Sequence, residues 1–193
     1  TVYRPSTLIG DAGTGEIDRR GGPYSLAVQL VTSPLRIPLP LPGDGSFPLN
    51  VVPSNFVADA ILELSRRPEA KGRTFHLVDP NPMSARKVYE RIAEMAGRKP
   101  LRLGLPARAS AALLRLPMLE RLAGPHHLAY DHLNQLVIFN CRNTLELLDG
   151  TGIRCPPLDA YLDRLVGFVQ RQAAEERASR LGADLAEEDP LAT

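Results

Sequence analysis

Short runs of β-branched and apolar residues alternate along this chain with stretches whose apolar side chains recur every three or four positions. That alternation restricts the fold more than any other feature of the sequence. Residues 1–9 read as a strand with Pro5 inside it; proline cannot donate to a ladder, so the strand ends or kinks near its middle. Residues 73–79 form a second strand, whose Thr74, Phe75, Leu77 and Val78 predict burial on both faces, and residues 136–140 a third. A short extended piece covers residues 50–53. Phe56, Val57, Ala60, Ile61 and Leu64 share one helical face behind a cap at Ser54 or Asn55. Val88, Ile92 and Met95 share another, capped by Ser84 and closed by Gly97.

Residues 24–31 and 107–133 also read as helical, the latter interrupted by Pro117 and by Gly124-Pro125. Prolines and two glycines between positions 34 and 48 leave no regular element there. A short helix ends at Gly150. Pro156-Pro157 opens the last helix, with Leu158, Leu162, Leu165, Val166 and Val169 as its apolar stripe. Beyond Arg171 the chain turns charged and alanine-rich, which predicts one domain over residues 1–182 and a flexible tail over 183–193. Buried strands separated by helices predict an α/β fold with a largely parallel sheet. Three strands are few for so many helices, so the sheet reads as incomplete.

Composition narrows the function classes. A formal net charge of +1 gives no strong field toward nucleic acid or an anionic membrane. No apolar run approaches the roughly 20 residues of a membrane span, and no signal peptide is visible. Cys141 and Cys155 lack a C-x-x-C spacing. A disulfide between them is allowed but nothing in the spacing asks for one, and a reducing, cytoplasmic setting is the plainer reading.

Several residue groups invite a chemical reading. Gly10-Asp11-Ala12-Gly13-Thr14-Gly15 follows a strand, as a phosphate-cradling turn does, but such a turn needs a helix N-terminus directly after it. The charged, glycine-containing segment at 16–22 makes a plain loop the better reading. His126, His127, Asp131 and His132 lie close in sequence, yet no third or fourth metal ligand goes with any pair, so a solvated helix end is favoured. His76 sits among apolar strand residues as a core or pocket histidine. No G-x-S-x-G elbow is present. None of Tyr3, Tyr24, Tyr89, Tyr130 and Tyr161 has a lysine four positions later, the arrangement that lowers a phenol's pKa for proton transfer.

Four segments, in order, resemble the C-terminal half of extended short-chain dehydrogenases/reductases. Arg4-Pro5-Ser6-Thr7-Leu8-Ile9-Gly10-Asp11 is similar to the strand and turn after that family's catalytic tyrosine-lysine helix. Val51-Val52-Pro53-Ser54-Asn55-Phe56-Val57-Ala58-Asp59-Ala60 resembles its V-P-x-D-x-V-A-x-A helix start. Gly72-Arg73-Thr74-Phe75-His76-Leu77-Val78-Asp79 resembles its late sheet strand. Phe139-Asn140, with Gly152-Ile153-Arg154-Cys155-Pro156, resembles the closing segment before the last helix. The first two, with Tyr24 in a G-P-Y element, resemble most the branch of thioester reductases and fatty acyl-CoA reductases, the "male sterility" group.

The resemblance implies an incomplete Rossmann-type sheet made of the late strands, with a helical substrate-binding subdomain. It implies an NAD(P)H-dependent oxidoreductase parent acting on a thioester-bound or other acyl substrate. It puts Pro5, Ser6 and Thr7 beside the nicotinamide of NADP or NAD, and Ile9, Gly10, Pro23 and Tyr24 beside the substrate. The family's G-x-x-G-x-x-G turn and Tyr-x-x-x-Lys helix would both precede Thr1, so no catalytic residue and no metal is assigned here, and the chain is expected to bind no cofactor and to be inactive alone. Asparagine stands at Asn55 and Asn140 where the family has aspartate; both can still cap. Two other readings remain open: a non-catalytic module for an apolar, acyl-type ligand, and a fragment of a sugar-nucleotide epimerase or dehydratase. The first strand's open edge predicts a homodimer.

Overall fold

The computed structural model describes residues 1–17, 45–97 and 136–187. Strand β1 (Val2–Pro5) and strand β2 (Thr7–Leu8) are one run of chain broken at Ser6, as the proline predicts. Strand β3 (Val51–Val52), helix α1 (Ser54–Ser65) and strand β4 (Thr74–Leu77) follow. Helices α2 (Ala85–Met95), α3 (Arg142–Leu148) and α4 (Leu162–Glu187) complete the described elements, with single 3-10 turns at Pro68–Ala70 and Leu158–Ala160. The expected α/β architecture is present, and every strand pairing among the described residues is parallel.

The pairing changes sides within one strand run. β1 lies against β4, with Val2 opposite Thr74 and Pro5 opposite Leu77. β2 lies against β3, with Thr7 opposite Val51. The amides of Val2 and Ser6 donate to the carbonyls of Arg73 and Leu77, whereas the Ile9 amide donates to Val52. Backbone groups alternate in direction along a strand, so Val2, Arg4 and Ser6 face β4, and Tyr3 and Pro5 face the side that β3 occupies only from Thr7 onward. Among the described residues nothing pairs with β1 on that side, and Pro5 has no N–H to offer there.

Two hydrophobic cores meet at β3, because adjacent strand residues point to opposite faces. Val51 packs with Ile9, Val88, Ile92, Leu162 and Leu165, joining α2 to α4. Val52 packs with Phe56, Ala60, Leu64, Phe75 and Leu77, joining α1 to the β1–β4 pair. Four of the five residues expected on the inner face of α1 are buried; Ile61 is half-buried at its margin. All five stripe residues of the last helix are buried. That helix begins later than Pro156-Pro157 suggests, since those prolines lead into the 3-10 turn and α4 starts only at Leu162. It runs on to Glu187.

Two local expectations are corrected. Ser54 and Asn55 do not cap α1. The N-cap is Pro53, the Ser54 amide donates to the Gly10 carbonyl at 2.7 Å, and the Asn55 Oδ1 accepts from the Ala12 amide at 3.1 Å. A distant chain segment thus supplies the carbonyl that a side-chain cap would have replaced. Ser84 does cap α2, accepting from the Lys87 amide, and Gly97 closes that helix with φ +66°.

The second correction concerns residues 136–140, which form no strand. The outer edge of β4 is already closed: Asn143 Nδ2 donates to the Thr74 carbonyl at 2.9 Å and Thr144 Oγ1 to the His76 carbonyl at 2.8 Å. Helix α3 therefore occupies the place where a third strand would have to pair, and the segment before it only crosses the sheet. Thr144→Val keeps the side-chain shape but strands the half-buried His76 carbonyl. It should cost about 1–3 kcal/mol in urea unfolding with an unchanged m-value.

Candidate functional site at the strand crossover

The site worth attention is the point where β1 becomes β2. In open α/β sheets a ligand crevice forms beyond the carboxyl ends of strands, where neighbouring strands diverge to opposite sides. Ser6 stands at such a divergence, between a residue paired to β4 and one paired to β3. Its Oγ is the buried side-chain oxygen without a hydrogen-bond partner among the described residues. A buried orphan hydroxyl is unusual enough to call for an explanation, and a missing ligand is one. Pro5 and Thr7 flank it on the surface.

The next residues pass from surface to core. Ile9 is buried against α4 and α2. Gly10 adopts φ +114°, and a Cβ there would lie 2.6 Å from the Glu16 carbonyl oxygen, so the turn needs glycine. Its carbonyl is held by Ser54 at the start of α1. Of the four residues expected beside the substrate, Ile9 and Gly10 are thus contiguous with the crossover, whereas Pro23 and Tyr24 lie outside the described residues.

The glycine-rich turn is a closed loop. Asp11 Oδ1 accepts from the Gly13 amide at 2.7 Å and from the Thr14 amide at 2.8 Å. The Thr14 amide holds this carboxyl below the usual aspartate range, slight desolvation opposes it, and the Gly13 amide and Thr14 hydroxyl reinforce it. The two amides that could have met a phosphate are therefore occupied by a carboxylate of the loop itself, and the described residues after it, 15–17, are not helical. The turn as described thus does not fit a dinucleotide's pyrophosphate.

His76 is a structural histidine. Its Nδ1 lies 3.0 Å from the Asn140 carbonyl oxygen, a bond made by the Nδ1–H tautomer, and its ring lies 5.8 Å from that of Phe139. Asn140 in turn accepts from the Arg142 amide at the start of α3, doing there what Asn55 does not do at α1. The histidine cluster at 126–132 lies outside the described residues. Among those described, no three histidine, cysteine or acidic side chains gather as a metal site would require. No helix of the described residues is long and apolar enough to cross a membrane. Periodicity held no hint of the orphan Ser6; the proline before it, which breaks the pairing, was its one signal.

No family model matches this chain, and no curated protein matches its sequence. Solved structures do match its fold. The terminal R domain from the myxalamid PKS-NRPS biosynthetic pathway superposes with a TM-score of 0.68 at 23% identity, over 89% of this chain and 43% of that one. A thiolation-reductase di-domain from an archaeal non-ribosomal peptide synthetase gives 0.61 at 18% identity, over 88% and 35%. The crystal structure of gox2253 gives 0.54 at 16% identity, over 88% and 48%. This chain thus has the α/β, Rossmann-like fold of those reductase domains, and spans less than half the length of each chain it matches.

Proposed function

We propose that this chain forms the substrate side of an NAD(P)H-dependent reductase that acts on a carrier-bound acyl thioester. The observation that carries the reading is the orphan Ser6 hydroxyl at the crossover, beside the edge of β1 that no described strand pairs. A parallel strand paired to that edge would have to end where β3 begins at Thr7, and its carboxyl end would face Pro5, Ser6 and Thr7 across a crevice. Those three residues then meet the nicotinamide edge of the cofactor, and Ile9 and Gly10, with Pro23 and Tyr24, the acyl side. The likeness in fold to a terminal reductase domain and to a thiolation-reductase di-domain supports a carrier-bound substrate.

The phosphates and the proton donor belong to other residues of such a reductase. The closed Asp11 loop leaves no cradle here, and no described tyrosine is followed by a lysine one helical turn later. Calorimetric titration of NADPH into the chain should therefore give no saturable binding. An acyl-pantetheine thioester titrated into the ¹⁵N-labelled chain should shift the amides of Thr7, Ile9 and Gly10. Shifts confined to other residues, or a clear saturable NADPH isotherm, would overturn the assignment. Ser6→Ala should leave stability unchanged or slightly raised, because it removes an unpaired buried hydroxyl, and should leave thioester binding unchanged, because Ser6 faces the cofactor side. The free chain should self-associate through the β1 edge, which light scattering would read as a dimer.

A further inference from the structure

We infer that Cys141 and Cys155 are an oxidisable thiol pair that closes a second cavity, on the far side of β4 from the crossover. This cavity, about 320 Å³, lies beneath α3 and is lined by Phe56, Val78, Thr144, Leu148 and both cysteines. Cys141 is the N-cap of α3 and also lines the wider groove outside, with Phe139 and Asn140, so its sulfur stands where the cavity meets solvent. Cys155 belongs to the inner wall. Burial, then the charge of Asp79, then that of Cys141 push its thiol up to about 12, and Cys141, which alone of the two borders the outer groove, is the one a peroxide meets first.

Among the described residues nothing strong holds either sulfur in its present place. The Cys155 thiol makes one long contact, 3.7 Å to the Pro156 carbonyl, and both cysteines are free. The turn between α3 and Cys155 contains Gly150 and Gly152, both at positive φ and both with open space around them. Both cysteines border one cavity and the charge of Cys141 is felt at Cys155 across it, so the bond would close within that space. With a peroxide as oxidant the Cys141 thiolate attacks one peroxide oxygen, the O–O bond breaks, and a sulfenic acid forms as hydroxide leaves. The Cys155 sulfur then gives up its proton and displaces the second hydroxide, forming the S–S bond. Two thiols and one hydrogen peroxide become one disulfide and two waters, the sulfurs losing two electrons to the peroxide. The bond would fasten α3, which seals the edge of β4, to the segment leading into α4.

Hydrogen peroxide added to the whole chain should remove two hydrogens by intact mass, and digestion should yield one linked peptide pair containing Cys141 and Cys155. In Cys155→Ser the reaction should stop at a dimedone-trappable sulfenic acid on Cys141, and in Cys141→Ser residue 155 should stay unmodified. The oxidised chain should melt several degrees above the reduced one. Two thiols that both remain open to alkylation after peroxide, a disulfide joining two chains, or oxidation beginning at Cys155 in Cys141→Ser would each overturn the inference.

Discussion

Gly15→Ala should cost the folded chain about 2–5 kcal/mol, a large fraction of what a domain of this size has to lose. Gly15 sits at φ +75°, where an L side chain is strained by about 1–2 kcal/mol. The added methyl would lie 2.3 Å from the Arg164 carbonyl oxygen and 2.5 Å from its carbon, both backbone atoms in the first turn of α4. Neither can swing aside as a side chain would, so overpacking adds roughly 1–3 kcal/mol. The same loop is tied to α4 from the other direction, since the Arg164 guanidinium donates to the Ala12 carbonyl at 2.8 Å. Thermal unfolding should show a drop of about 10 °C. A midpoint within two degrees of the parent would show that the loop does not rest on α4. Thioester-induced shifts at Gly10 should be lost with the loop's position.

Phe75→Ala should cost about 3–5 kcal/mol. Phe75 is fully buried in the core under α1, its ring stacks at 5.9 Å on Tyr3 of β1, and the Arg73 guanidinium lies 5.8 Å from its centroid. No neighbouring strand can close in, because β4 is fixed between β1 and α3 by backbone and side-chain bonds on both edges. The cavity therefore stays open, and its volume sets the cost. Denaturant titration is the measurement, and a loss under 1 kcal/mol would mean that the β1–β4 pair collapses around the gap. Phe75→Leu should lose less than half as much, since most of the volume is kept.

How much of this was legible in the sequence depends on how far apart the interacting groups are. The stripes of α1, α2 and α4 stand in the order of the residues, because a helix reads its own periodicity. Pro5 marks the break between β1 and β2 for an equally local reason, the missing N–H. The Ser84 cap and the Gly97 stop span three residues or fewer. The assignment of residues 136–140 to a strand failed at long range. Val137 and Ile138 have the right composition, but the outer edge of β4 belongs to Asn143 and Thr144, 69 and 68 positions away from the carbonyls they cover. Asn55 failed likewise, drawn from its cap to the Ala12 amide 43 residues earlier.

The amino-acid order by itself determined that the chain would alternate strands with one-sided helices, that the first strand run would break at Pro5, and that the four motif segments would follow one another as they do. The tertiary structure alone decided that one strand run would change partners at Ser6, that α3 would seal the sheet, and that the Asp11 loop would close on itself. Periodicity is a property of neighbours a few residues apart, whereas the fate of a carbonyl, an amide or a hydroxyl is set by whichever distant group folding brings within hydrogen-bond reach.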